Sequence, residues 1–175
     1  DLGRLALAKA EIDREKSNPE QAEEETRSLP QEEEAPHTAG TAEERLLAFI
    51  GGKAESALLM DAFNILLEED IFRTNPQALE KLNGWVKARD ASRQPAAMYA
   101  MGILLLEKDD LSGAVKMAEE GLSKYPQSLP VQILSLNTIT VLLDKNRLQD
   151  AERLISKYPG SSPDLVFQQG ALAFL

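Results

Sequence analysis

The sequence feature that most constrains the fold is an internal repeat. A Ser-Lys-Tyr-Pro segment at 123–126 returns 33 residues later at 156–159, and the segment 95–102, which begins with Pro and ends with Gly, is echoed 68 residues later at 163–170. A period in the thirties is typical of helix-turn-helix repeats, in which one hairpin buries too little apolar surface alone and must stack on its neighbours. We therefore expect an all-α protein of stacked antiparallel helix hairpins.

Composition narrows the chemistry that is open to the chain. The sequence is 43% hydrophobic but only 5% aromatic, so the core is expected to consist of Leu, Ala, Ile and Met. It contains no cysteine, which excludes disulfide frameworks, thiolate metal sites and thiol nucleophiles and leaves the compartment undecided. The most apolar run, 101–106, is far shorter than the roughly 18 to 20 residues that a membrane span requires, so no membrane insertion is expected.

The net charge of -10 is concentrated near the N-terminus. Residues 11–44 hold twelve acidic and three basic side chains, whereas the rest of the chain holds seventeen acidic and sixteen basic ones. A nearly neutral body without a Lys/Arg stripe cannot gain the counterion-release free energy that drives nucleic-acid binding, and anionic membrane surfaces are disfavoured for the same reason. We therefore expect neither nucleic acid nor a membrane surface as a partner.

Pattern and composition divide the chain into three segments. Residues 1–25 contain an amphipathic helix at about 2–14 and a second short helix after Pro19, and are read as a helical segment or a degenerate repeat. Residues 26–41 form an acidic, proline-containing linker that has almost nothing to bury, is expected to be partly disordered, and holds the only histidine, His37. Residues 42–175 form the helical repeat domain, which ends inside a repeat.

Caps and apolar spacing predict the first helices of the repeat domain. Thr41 and Glu44 fit a capping box, and Gly51-Gly52 ends the helix that follows. The segments 56–69 and 76–90 carry apolar side chains at helical spacing and are expected to form two antiparallel helices. Asn83-Gly84 in the second of them is a poor helix interior, which predicts a break or a close contact there.

The repeat also carries small residues and proline at fixed positions. In a 34-residue frame that begins at Pro95, Gly102 is the eighth position, Ala114 the twentieth and Pro126 the thirty-second. With these residues the region 95–175 resembles the tetratricopeptide repeat, and 56–90 resembles it more distantly. The small residues allow two helices to approach closely, and proline stops the second helix. The resemblance implies a right-handed α-solenoid.

The chain departs from the family pattern at several positions. Met98 occupies the usual tryptophan position, and Ala118 and Gly121 replace the usual aromatic and small residues late in the second helix. In the next unit the second-helix motif is displaced by 37 residues instead of 34. That second helix is therefore expected to be about one turn shorter than its predecessor.

The family resemblance further implies where a ligand would bind. In tetratricopeptide arrays the groove is lined by the first helix of each unit, at its second, fifth, ninth and twelfth positions. On this frame those positions are Ala96, Tyr99, Ile103, Leu106, Pro130, Ile133, Asn137, Thr140, Asp164, Phe167, Ala171 and Phe174.

This predicted groove is apolar and aromatic. None of its positions is basic, so the Lys/Arg grip on a C-terminal carboxylate that chaperone-binding relatives use is not expected. An amphipathic helix or an extended apolar segment would suit it better, with Tyr99 and Phe167 as rigid anchors and Asn137 pairing with ligand backbone. The predicted partner-binding residues are Tyr99, Ile103, Leu106, Ile133, Asn137, Thr140, Phe167 and Phe174. The two isoleucines and Phe174 can instead be core between neighbouring hairpins.

The sequence offers no converging polar chemistry. It has no Gly-rich phosphate loop, no paired metal ligands at helical spacing and no nucleophile beside a base, so neither catalysis nor a cofactor nor a metal is expected. The expected function is a non-catalytic scaffold that binds a protein partner within a larger assembly. The alternative is a purely structural or self-associating solenoid segment, as in an envelope, secretion or vesicle-coat component. The apolar segment 170–175 needs cover from further repeats, a partner or a second copy, which makes a homo-oligomer one open outcome.

Overall fold

The computed structural model describes residues 9–10, 12, 40–52, 56–160 and 163–174, and within them the regular elements are all α-helices. This confirms the all-α expectation for the described part of the chain. The predicted second short helix, His37 and most of the predicted linker lie outside the described residues, while Lys9, Ala10 and Ile12 are helical as expected. The helices are α1 (Ala42–Gly51), α2 (Ser56–Glu68), α3 (Ile71–Thr74), α4 (Pro76–Lys87), α5 (Gln94–Glu107), α6 (Leu111–Lys124), α7 (Leu129–Asp144), α8 (Leu148–Lys157) and α9 (Pro163–Phe174).

The chain divides into two compact units, Asp1–Ala78 and Leu79–Leu175. In the first unit, α1 begins with the predicted capping box: the Glu44 amide donates to Thr41 Oγ1 at 3.2 Å, and the Thr41 amide donates to a Glu44 carboxylate oxygen at 3.1 Å. α2 packs against both α1 and α3. The rings of Phe63 and Phe72 stack with their centroids 6.2 Å apart, so the core of this unit joins α2 to α3.

The short helix α3 was not expected from the sequence. Asp70, with φ of 59°, takes the left-handed conformation between α2 and α3, a geometry that Asp tolerates better than most residues. The division between the two units falls inside α4, so the predicted antiparallel pairing of 56–69 with 76–90 stays a prediction. Neither the break nor the close contact expected at Asn83-Gly84 is found. α4 is continuous through it, and a Cβ atom at Gly84 would meet no described atom within 4 Å.

From α5 to α7 in the second unit, each helix packs against the next two helices along the chain. α5 contacts α6 and α7, α6 contacts α7 and α8, α7 contacts α8 and α9, and α8 contacts α9. α7 is therefore the central helix. Its buried hydroxyl groups form hydrogen bonds within the same helix. Ser135 Oγ donates to the Val131 carbonyl and Thr138 Oγ1 to the Leu134 carbonyl, each at 2.8 Å.

Two turns in this unit repeat the same geometry at the predicted displacement of 37 residues. Asp109 after α5 and Asn146 after α7 both have positive φ, 59° and 56°. After them, the Asp110 amide donates to the Leu105 carbonyl at 2.9 Å and the Arg147 amide to the Leu142 carbonyl at 2.7 Å. Both bonds run five residues back along the chain, which is typical of a helix that ends in a single left-handed residue. The two hairpins are thus local copies of each other.

Gly102 allows α5 and α7 to approach closely, as expected. A Cβ atom at Gly102 would lie 2.3 Å from Leu134 Cδ1, inside any tolerated contact. Ala114, the other small residue of the frame, is fully buried on α6. The predicted shortening is also confirmed, because α8 has 10 residues where α6 has 14.

Candidate functional site

A groove with a volume of about 790 Å³ lies between α7 and α9 in the second unit. Small-molecule and side-chain binding sites are typically about 300 to 1,000 Å³, so the groove is large enough to take several side chains of a ligand. The lining residues are Ile133, Leu136, Asn137, Thr140, Leu143 and Asp144 from α7 and Asp164, Phe167, Gln168 and Ala171 from α9.

Six of the twelve positions predicted from the repeat frame line this groove. Helical spacing explains why they meet: residues three and four apart share one helix face, so 133, 137 and 140 form a row on α7, and 164, 167 and 171 form a row on α9. The frame missed Leu136, Leu143, Asp144 and Gln168. All four lie three or four residues from a predicted position on the same helix, and that spacing was the signal that could have found them.

Phe167 is the most prominent apolar side chain at the groove. It is 78% exposed, because the neighbouring residues Leu165 and Gln168 are the ones that α9 buries. Asn137 and Thr140 are also exposed, and Ile133 is half-buried. Because the helix already orders the backbone of Phe167, binding has to order only the two χ angles of its ring.

Gln168 fastens α9 to α7 at the groove. Its Nε2 donates to the Leu136 carbonyl at 3.1 Å and to Thr140 Oγ1 at 2.7 Å, and Thr140 Oγ1 in turn donates to the same carbonyl at 3.0 Å. Gln168 is buried, yet its Oε1 has no hydrogen-bond partner among the described residues. The groove wall therefore keeps one unsatisfied acceptor.

The remaining predicted positions are not brought to this groove. Ala96 and Tyr99 are buried on α5, where Tyr99 is only 9% exposed and offers a ligand little ring area. Ile103 and Leu106 are half-buried and do not line the groove. Pro130 is also half-buried and does not line it, and the side chain of Phe174 lies outside the described residues. Of the two predicted anchors, Phe167 is exposed at the groove and Tyr99 is buried away from it.

The charged groups of the lining are both acidic. Asp144 ends α7 and Asp164 lies in the first turn of α9, and both are exposed. None of the ten lining residues is Lys, Arg or His. The groove therefore offers an apolar, acceptor-rich surface.

In the described ranges, no three His, Asp or Glu side chains are grouped to hold a metal ion. No described helix is long and apolar enough to cross a membrane.

Comparison with protein-family models, with curated proteins and with solved structures found no match for this chain.

Proposed function

We propose that the chain is a non-catalytic, tetratricopeptide-like interaction module that binds a segment of a partner protein in the groove between α7 and α9. The observation that carries the proposal is the groove itself, since six of its ten lining residues are positions that the repeat frame assigns to ligand binding. The frame was derived from small residues and prolines and not from the shape of the surface. Its agreement with the observed groove at six of twelve positions therefore supports the proposal.

The packing of the second unit supports the same proposal. Contacts of each helix from α5 to α7 with the next two along the chain, two hairpins with matching left-handed turns, and close approach at Gly102 are what stacked helix hairpins require. In such a stack the first helices of successive hairpins lie side by side. α7 and α9 are two of these first helices, and the groove lies between them.

The experiment is affinity purification with cross-linking mass spectrometry, and it compares the chain with a Phe167→Ala variant. Losing an aromatic anchor typically costs 2 kcal/mol or more, which is about thirtyfold in affinity, so a groove-bound partner should be lost or strongly reduced. Val166→Ala is the matched control. Val166 is adjacent, 56% exposed and absent from the groove lining.

The expected result is a partner that cross-links to α7 or α9, disappears with Phe167→Ala and persists with Val166→Ala. Equal retention by both variants would mean that the groove is not the binding surface.

Self-association through α9 is a second candidate, favoured by a different observation. Val166 and Phe167 are adjacent and both well exposed, so together they present apolar surface that a second copy could cover. Light scattering on size-separated protein decides between the candidates. An oligomer that Val166→Ala weakens as much as Phe167→Ala would favour a structural role, whereas a monomer at all concentrations would exclude it.

A further inference from the structure

The polar groups that line the groove are mostly acceptors. Asp144 and Asp164 contribute carboxylates, which accept hydrogen bonds and donate none when ionised. Asn137 is exposed and contributes one amide. The hydroxyl of Thr140 is already used, because it donates to a backbone carbonyl of its own helix. A ligand that satisfies this surface must bring donors.

Gln168 adds to the excess of acceptors, and its orientation is fixed by its partners. Its Nε2 faces the Leu136 carbonyl, which can only accept. Rotating the amide by half a turn would place Oε1 against that carbonyl, so Nε2 must take this position and Oε1 the other. Oε1 then remains the unpaired acceptor of a buried side chain. Leaving such an acceptor unsatisfied is costly, and because the atom is buried a ligand donor could reach it only if the side chain moved.

The charge of the groove lining points the same way. The lining holds two carboxylates and no cationic side chain. Two copies of this surface carry like charges and repel each other at close range, whereas a cationic segment is attracted to the two carboxylates. Charge complementarity therefore favours a basic partner over a second copy.

We propose that the ligand of the groove is a polypeptide segment that combines apolar side chains with Lys or Arg residues, the apolar side chains packing on Phe167 and Ile133 and the cations pairing with Asp144 and Asp164. This inference rests on the proposed function, because it names the partner chemistry of the same groove.

The test is selection from a random peptide library displayed on phage, with the 175-residue chain immobilised. Enriched peptides are synthesised, and their affinities are measured by fluorescence anisotropy. The diagnostic variant is Asp144→Asn/Asp164→Asn, which removes both groove charges with little change in shape. The matched control is Glu80→Gln/Glu152→Gln, which removes two charges from exposed residues outside the lining.

The expected result is enrichment of peptides in which Lys or Arg flanks apolar residues. Their affinity should fall roughly three- to tenfold in the aspartate double variant, since each partly exposed ion pair typically contributes up to about fivefold. The glutamate control should bind within about twofold of the wild type, and added salt should weaken wild-type binding because it screens exposed charges.

The contrary results separate the two proposals. Neutral or acidic peptides that still depend on Phe167 would overturn the charge inference and leave the groove as the binding site. Peptides that bind equally well to Phe167→Ala, or a complete failure to enrich any peptide, would overturn both.

Discussion

Gly84 and Gly102 both lie inside helices, yet their surroundings are opposite. A Cβ atom at Gly84 would meet nothing within 4 Å, whereas one at Gly102 would clash with the buried side chain of Leu134. We predict that Gly84→Ala raises the free energy of unfolding by about 0.5 to 1 kcal/mol, because Ala loses less entropy in a helix. Gly102→Ala should lower it by about 1 to 2 kcal/mol, because overpacking outweighs that gain.

Urea unfolding of the two variants, followed by circular dichroism, measures both effects in one experiment. Each substitution adds the same single methyl group to a helical glycine of the second unit, so each is the control for the other. Stabilisation by both variants would mean that α5 and α7 do not approach at Gly102.

At the residue scale, the sequence correctly predicted the close helix approach at Gly102 but not the uninterrupted helix at Gly84. Gly102 recurs in a frame with Ala114 and the closing proline, and that recurrence implied a close approach of helices. Asn83-Gly84 carried only a propensity argument, and the cost of one helical Gly, about 1 kcal/mol, does not break a helix that buries Leu82. Tyr99 shows the same limit, because its burial depends on helices that are distant in sequence. The nearly unbroken apolar run of α5 was a usable signal, since a helix that is apolar on all sides is usually buried.

At the scale of helices, α6 and α8 are joined by a network of ion pairs. Glu119 accepts from Arg153 Nε at 2.8 Å and lies 3.1 Å from Lys157 Nζ, while Arg153 Nη2 lies 2.9 Å from Asp150. Burial raises the pKa of Glu119, but the hydrogen bonds from Lys157 and Arg153 outweigh it, so the pKa lies below its ordinary value of 4.5. The ionised form is therefore favoured by folding.

A depressed folded-state pKa contributes stability above the unfolded-state pKa, and this stability is lost as the pH falls through the folded-state value. We predict that Glu119→Gln lowers the free energy of unfolding at pH 7 by up to about 1 kcal/mol, because its ion pairs are partly solvent-screened. The difference from the wild type should shrink as the pH falls from the ordinary value of 4.5 through the lower folded-state pKa, because below that pKa the wild-type carboxyl is protonated in both states.

Urea unfolding across this pH range checks the prediction. Glu152→Gln on α8 is the control, since Glu152 is exposed and stands outside the network. A loss in Glu119→Gln that stays constant with pH would show that packing, and not charge, is responsible.

Among features of the helices, the start of α1 and the length of α8 were predicted best from the sequence. The capping box of Thr41 fixed the start of α1, and the 37-residue displacement fixed the shorter α8, because both depend on a few neighbouring residues. α3 could not be foreseen, since a helix of 4 residues is too short to show a period. The left-handed turns at Asp109 and Asn146 were missed because glycine, the usual signal, is absent from both.

At the scale of the molecule, the central claim is that α7 and α9 together form a partner-binding groove. The sequence predicted six of the ten lining residues through a family resemblance. It could not predict that α5 would be excluded, because a repeat frame treats its first helices as equivalent while burial depends on what each one packs against. The groove is found where α9 leaves Phe167 exposed and where Gln168 ties α9 to α7.

The most direct test of this claim is hydrogen–deuterium exchange, measured by mass spectrometry on the chain with and without the strongest peptide selected on it. Binding slows amide exchange where a ligand covers or stiffens the backbone. We predict slower exchange in the segments 133–144 and 164–171, and unchanged exchange in α5, which does not line the groove. Slower exchange centred on α5 or on the first unit, with α7 and α9 unaffected, would contradict the account.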